Sequence, residues 1–245
     1  MKKLICVFGF LFSSMVLAAG GAGVKLDPAN NDLTDKASLQ SGAMMFNNYC
    51  LGCHNMQYQR YERSFKDLDI PNDLGQEYLQ FTGEKVSDHI KSAMPENNAA
   101  TWFGAPPPDL TLVARVRGAD WLYTYLRSFY ADDSKTFGVN NKVFKDVGMP
   151  HVLQELQGLP SEVYEQRMVD GEMVPRYVGI KSDGKGSMSA QEYDTAVRDL
   201  VNYLVYVGEP GRLKLEAIGK WVLAFLVILF IFVYLLKKEY WRDVH

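Results

Sequence analysis

Cys50, Cys53 and His54, inside the run NNYCLGCHNM, are the residues whose types and spacing bear most directly on chemistry. Two thiols three positions apart with an imidazole directly behind could be a disulfide, half a zinc site, a redox dithiol or a covalent haem anchor. Structural zinc takes four ligands, commonly two such pairs or a cysteine pair with a histidine pair. Here no second pair exists, and His89, His151 and His245 are scattered. A thioredoxin-type dithiol belongs beside a βαβ pattern, which this sequence lacks. A disulfide across two intervening residues is strained and closes too short a loop to stabilise much. Haem uses every group present: each thiol adds to one vinyl group and the histidine behind them ligates the iron. The motif therefore predicts one covalent haem c, anchored by Cys50 and Cys53, with His54 on the metal.

The sixth iron ligand decides what such a centre can do. A thioether favours Fe(II) and raises the potential, an imidazole lowers it, and an open position admits gas or peroxide chemistry. Met44, Met45 and Met56 sit too near the anchor to reach across a ring, and Met168, Met173 and Met188 fall in a hairpin or a polar loop. Met94 in KSAMPENN and Met149 in KDVGMPHVL remain, with His89 and His151 behind them. Both methionines precede proline, which favours extended backbone and suits a loop ligand. Met149 has the more apolar flank (Val143, Phe144, Val147, Val152, Leu153) to bury a sulfur, but local chemistry barely separates the two.

Several elements must position these groups. The opening stretch has Lys2 and Lys3, an apolar run from Leu4 to Leu17 and small residues from Ala18 to Gly23, the pattern of a secretory leader. Residues 1–19 are expected to be removed, and Cys6 with them. The exported chain then keeps only the Cys50/Cys53 pair, few for a disulfide-dependent fold. At the far end, Ala217 to Leu236 is apolar except for Lys220, long enough to cross a hydrocarbon core of about 30 Å. Trp221, Tyr234, Tyr240 and Trp241 flank it as interfacial aromatics do, and Lys237, Lys238 and Arg242 favour a cytoplasmic tail. The expected layout is residues 20–212 as a periplasmic haem domain, 213–237 as a transmembrane helix and 238–245 as the tail, a single pass in a bacterial inner membrane.

Charge is a weaker guide. The chain carries −3, and losing Lys2 and Lys3 leaves 24 basic against 29 acidic side chains, or −5. An acidic exported face argues against nucleic acid and is compatible with a basic soluble partner.

Between the leader and the apolar tail the pattern is mainly α. LTDKASLQSGAMMFNNYC reads as a helix capped by Thr34 or Asp35, with Leu39, Ala43, Phe46 and Cys50 on one face. SAQEYDTAVRDLVNYLVYVGEPG reads as another, capped by Ser189, with Tyr193, Ala196, Val197, Leu200, Val201 and Leu204 as its stripe. A third is expected from Ala119 to Phe129. Alternation from Glu162 to Ile180 around Asp170-Gly171 predicts a β-hairpin. IPNDLG and APPPDL read as rigid, irregular connections.

Two helices crossing beside a C-x-x-C-H motif resemble the class I cytochrome c arrangement, here with long loops, a hairpin insertion and a C-terminal anchor. The likeness narrows further along the chain. DLTDKASLQSGAMMFNNYCLGCH, WFGAPPPDLTLVARVRGADWLYTYLRSFY, VFKDVGMPHVL and the end RDLVNYLVYVGEP…KKEYWRDVH resemble bacterial cytochrome c1, the haem subunit of the cytochrome bc1 complex, over nearly the whole exported chain. That resemblance implies Met149 as the axial ligand and Arg115, rather than Arg117, as the partner of a haem propionate, a bidentate role suited to a guanidinium. APPPDL would wall off the ring from water. The resemblance also implies a Rieske iron–sulfur protein as electron donor, a soluble cytochrome c as acceptor, and cytochrome b beside the anchor in the lipid. The loop disulfide of some relatives has no counterpart here. A free-standing anchored cytochrome c feeding a terminal oxidase or reductase shares haem, anchor and compartment. A haem sensor or peroxidase would show carbon monoxide binding to the reduced iron.

Overall fold

The computed structural model describes residues 24–83, 85–169 and 172–244. The expected leader and the Asp170-Gly171 turn lie outside the described residues. In chain order the elements are α1 (Lys36–Met45), a π-helical turn (Phe46–Cys50), β1 (Met56–Arg60), α2 (Tyr61–Asp67), α3 (Asn72–Tyr78), β2 (His89–Ile90) and α4 (Glu96–Phe103). They continue with α5 (Val113–Arg117), α6 (Ala119–Arg127), β3 (Phe129–Ala131), β4 (Val139–Asn141), α7 (Gln154–Gln157), β5 (Ser161–Val169), β6 (Glu172–Lys181), α8 (Ala190–Gly208) and α9 (Arg212–Tyr240). The architecture is mainly helical, and among the described residues the strands form three separate antiparallel ribbons, β1–β2, β3–β4 and β5–β6.

The core is organised by α1 crossing α8. Asp35 caps α1, its carboxylate accepting from the Ser38 N–H at 3.0 Å. The face formed by Leu39, Ala43, Phe46 and Cys50 is buried, as its spacing requires. Helix α8 opens with a capping box: the Ser189 hydroxyl accepts from Glu192 N–H and the Glu192 carboxylate accepts from Ser189 N–H, which satisfies two end donors at once. Tyr193, Val197, Leu200, Val201 and Leu204 are buried, with Ala196 half-buried beside them. The helices touch backbone to backbone at Gly42, where a Cβ would collide with the Asp199 carbonyl and lie 2.7 Å from the Tyr203 Cβ. Beside that contact the Ser38 hydroxyl donates to Asp199 at 2.7 Å and the Asn202 amide to the Asp32 carbonyl at 2.7 Å.

Two expectations are revised. IPNDLG is not wholly irregular, because α3 starts within it from Pro71. Gly75 presses α3 onto the Phe65 ring so closely that a Cβ would stand 2.6 Å from it, so a tertiary contact makes this helix rather than its own periodicity. The third helix stops at Arg127, and Phe129 instead begins β3, which pairs with β4. The hairpin forms over a longer stretch than its alternation suggested, with Met168 opposite Met173 near its tip. Its strand faces are largely exposed, and its base is tied down by Ala131 N–H donating to the Pro160 carbonyl at 2.8 Å.

Helix α9 is apolar, and none of its residues is buried. Its 29 residues span about 44 Å at 1.5 Å per residue, more than a bilayer's hydrocarbon core.

Candidate haem site

The π-helical turn delivers the C-x-x-C-H motif to the edge of the core. Leu51 N–H donates to the Phe46 carbonyl at 2.9 Å, then Cys53 and His54 N–H both fold back on the Cys50 carbonyl at 3.0 and 2.8 Å. The extra residue in that turn belongs to a class of distortion that recurs at functional sites. APPPDL runs alongside: Leu110 N–H donates to the Asn55 carbonyl at 2.8 Å, and Gln57 N–H to the Asp109 carboxylate at 2.8 Å.

The imidazole of His54 is fixed by this proline segment. Its Nδ1 lies 2.7 Å from the Pro108 carbonyl oxygen. A carbonyl can only accept, so Nδ1 carries the proton and Nε2 keeps its lone pair free for a metal. Burial holds the pKa of His54 below the ordinary histidine value, against the opposing pull of the Pro108 carbonyl and Asp109. The neutral, metal-binding form is therefore favoured. Cys50 and Cys53 are not joined to each other by a disulfide. Burial, then the neighbouring Cys53, pushes the Cys50 thiol up to about 12, and burial also raises Cys53. Reactive redox thiols have depressed values, so this environment suits thiols that end as thioethers. Among the described residues no cluster of three His, Cys, Asp or Glu side chains is placed to hold a metal ion.

Cys50, Cys53, His54 and Met149 line one cavity of about 430 Å³, walled mostly by apolar side chains. Pro106, Pro107 and Pro108 form one side, and Trp121, Leu200 and Leu204 from α6 and α8 contribute another. The volume lies in the range of pockets that enclose a sizeable ligand, and the donor set of two thiols, an imidazole and a thioether fits a covalent haem. Met94 is not among the described residues lining it; its N–H donates to the Ser92 hydroxyl at 3.1 Å. His151 stacks on Phe129 at 5.0 Å behind the Met149 loop, and His89 lies in β2.

Arg115 also stands off the cavity wall. Its guanidinium faces Glu209 at 3.6 Å, while Arg117 lines the cavity and lies 4.9 Å over the Trp121 ring. The two arginines share α5; the resemblance implies Arg115, whereas Arg117 is the one that lines the cavity. Sequence reasoning also missed Tyr125, whose hydroxyl donates to the Met149 sulfur at 3.3 Å. Its position one helical turn beyond Trp121, on the face that stacks at 5.0 Å, was the available signal.

A helical domain carrying this cavity, followed by an apolar helix of spanning length, defines a membrane-anchored c-type cytochrome. The chain matches the Cytochrome C1 family over residues 30–244 and belongs to that family. It is 52% identical to cytochrome c1 of Allochromatium vinosum over the full length of both chains. It is also 44% identical to a protein named ammonia monooxygenase gamma subunit in Nitrosomonas europaea, covering 98% of this chain and 97% of that one. Cytochrome b/c1 of Bradyrhizobium diazoefficiens is 25% identical over 86% of this chain, which spans only 34% of that longer protein. Membership makes the protein an electron-transfer haem subunit of the bc1 type, membrane-anchored and carrying one covalent haem c.

Proposed function

We propose that this chain relays single electrons from a Rieske iron–sulfur protein to a soluble cytochrome c, as a subunit of a quinol–cytochrome c reductase. Cys50 and Cys53 hold the haem by thioether bonds, each thiol adding its sulfur and its hydrogen across one vinyl group. His54 Nε2 and the Met149 sulfur would hold the iron. Bound, haem c supplies a one-electron Fe(III)/Fe(II) couple. Two strong ligands kept in both states make reorganisation small and close the iron to other molecules. Arg117 supplies a cation on the cavity wall for a propionate, and Arg115, the partner that the resemblance implies, lies on the same helix with its guanidinium 3.6 Å from Glu209.

The observation that carries this reading is the shared cavity of Cys50, Cys53, His54 and Met149, with the His54 tautomer set by Pro108. Cytochrome b is the proposed membrane neighbour of α9, a reading supported by the relative named cytochrome b/c1, in which a chain like this one is part of a longer protein. Residues 1–19 are proposed to be a cleaved leader, 20–212 the periplasmic haem domain, 213–237 the membrane span and 238–245 the cytoplasmic tail.

The test is a reduced-minus-oxidised visible spectrum of the tagged chain purified from native membranes in mild detergent. Haem b bands arriving with haem c are expected. A haem c band alone, from an undissociated preparation, would favour a free-standing carrier. The Nitrosomonas relative's name raises oxygen chemistry as a rival. With His54 and Met149 both holding the iron, a further ligand would have no place, so the reduced protein should not bind carbon monoxide at neutral pH.

A further inference from the structure

Tyr125 is held more firmly than its place near the end of a short helix requires. Its ring stacks on Trp121 at 5.0 Å and meets Phe129 edge-on at 5.2 Å. Its carbonyl accepts from the Asn141 amide at 2.8 Å and from the Ser128 hydroxyl at 3.2 Å. Asn141 in turn accepts from the Val143 and Phe144 N–H groups at 2.9 and 3.1 Å, so one side chain joins α6 to the loop that carries Met149. The hydroxyl at the end of this braced ring points at the Met149 sulfur, 3.3 Å away.

We infer that Tyr125 is a positioning residue for the axial thioether and that its hydrogen bond raises the reduction potential of the haem. The inference rests on the reading of Met149 as a ligand. A thioether sulfur has two lone pairs, one for iron and one for a donor. A donor on the second pair withdraws electron density from sulfur, which weakens its support of Fe(III) and favours the electron-richer Fe(II) state. The same bond limits rotation of a flexible methionine side chain and keeps the ligand in place when the iron is oxidised. The two-point hold is built from this chain's own residues and needs no partner subunit.

The experiment is an equilibrium redox titration of the haem in the full-length chain in its native membranes, for the unmodified protein, Tyr125→Phe, Tyr193→Phe and Met149→Leu. Tyr193 is also a buried phenol, but its hydroxyl donates to the Leu126 carbonyl at 2.9 Å, so it controls for loss of any buried hydroxyl. Tyr125→Phe is expected to shift the reduction equilibrium toward the oxidised form by about fivefold, the worth of one hydrogen bond. That is about 40 mV downward at 59 mV per tenfold, with Tyr193→Phe unmoved. An unchanged or higher potential in Tyr125→Phe overturns the inference. If Met149→Leu leaves the potential and the spectrum intact, the ligand assignment itself is wrong. If Met149→Leu shifts them and Tyr125→Phe does not, only this inference fails. Should Tyr125→Phe not load haem, proton NMR of the reduced unmodified protein decides. A slowly exchanging Tyr125 hydroxyl proton close to the Met149 methyl supports the bond, and its absence refutes it.

Discussion

Gly42 of α1 lies directly against the Asp199 carbonyl of α8, with no space for a side chain between the two backbones. This contact sets the distance between the helix that leads through the π-helical turn to Cys50 and the helix that supplies Leu200 and Leu204 to the cavity. Gly42→Ala must therefore spread the helices or strain them. Overpacking of this kind costs about 1–3 kcal/mol. Urea unfolding of the haem-loaded chain should show that loss, with faster haem bleaching on heating. Gly179→Ala is the control, because a Cβ there meets nothing within 4 Å. Equal midpoints for the two variants would mean that the crossing is looser than described.

Of the two methionines that local chemistry barely separated, only Met149 lines the cavity. Met149→Leu is expected to lower the haem potential by something on the order of hundreds of millivolts, since axial ligands set potentials over roughly 0.8 V, and to stall turnover of the complex. Met94→Leu should leave the potential near that of the unmodified protein. A redox titration in which the two exchange roles would reverse the ligand assignment.

The parts of this protein that could be read from its sequence are those in which local pattern and tertiary role coincide. Ser189 and Glu192 cap α8 because their spacing satisfies the helix end by itself, and the C-x-x-C-H motif is its own chemical argument. The membrane helix is equally local, a run of apolar side chains of sufficient length. What escaped reading depends on contacts between distant segments. The β1–β2 and β3–β4 ribbons are too short to show alternation and exist because Met56 meets Ile90 and Phe129 meets Asn141. The inward turn of Arg117 rather than Arg115 depends on where Trp121 and Glu209 lie. The bond from Tyr125 to Met149 depends on a loop folded back over α6.

His151 gives the domain a pH dependence with a definite sign. Burial lowers its pKa to about 4 from the usual 6.5, against the opposing pull of Gln157 and the Gly158 backbone. Between these values the unfolded chain binds a proton that the folded chain does not. Stability is thus fully present above about pH 6.5 and is lost as pH falls toward 4, by on the order of 3 kcal/mol in all. Urea midpoints of the haem-loaded chain at pH 7 and pH 5 should differ. His151→Phe, which keeps an aromatic ring against Phe129, should reduce that difference. An unaltered difference in the variant would assign the pH effect to other groups.

The hairpin stands off the core with largely exposed faces, and one cation touches both of its strands. Lys142 pairs with Glu162 at the foot of β5 and lies 4.1 Å from the centre of the Tyr177 ring and 4.7 Å from that of Tyr130. It thereby ties both strands of the ribbon to β3. A two-stranded ribbon is marginal in water by itself, and Tyr164, Met168, Met173 and Tyr177 are all exposed along it. Lys142→Ala removes the ion pair and both ring contacts together. Brief proteolysis of the variant should cut within residues 161–181 several times faster than in the unmodified chain, while the visible spectrum of the haem stays the same. Lys142→Arg, which keeps the charge over the rings, should restore most of the resistance. Equal cutting rates in all three proteins would show that the hydrogen bonds at its foot, Ala131–Pro160 and Ser182–Gln157 among them, hold the ribbon in place without Lys142.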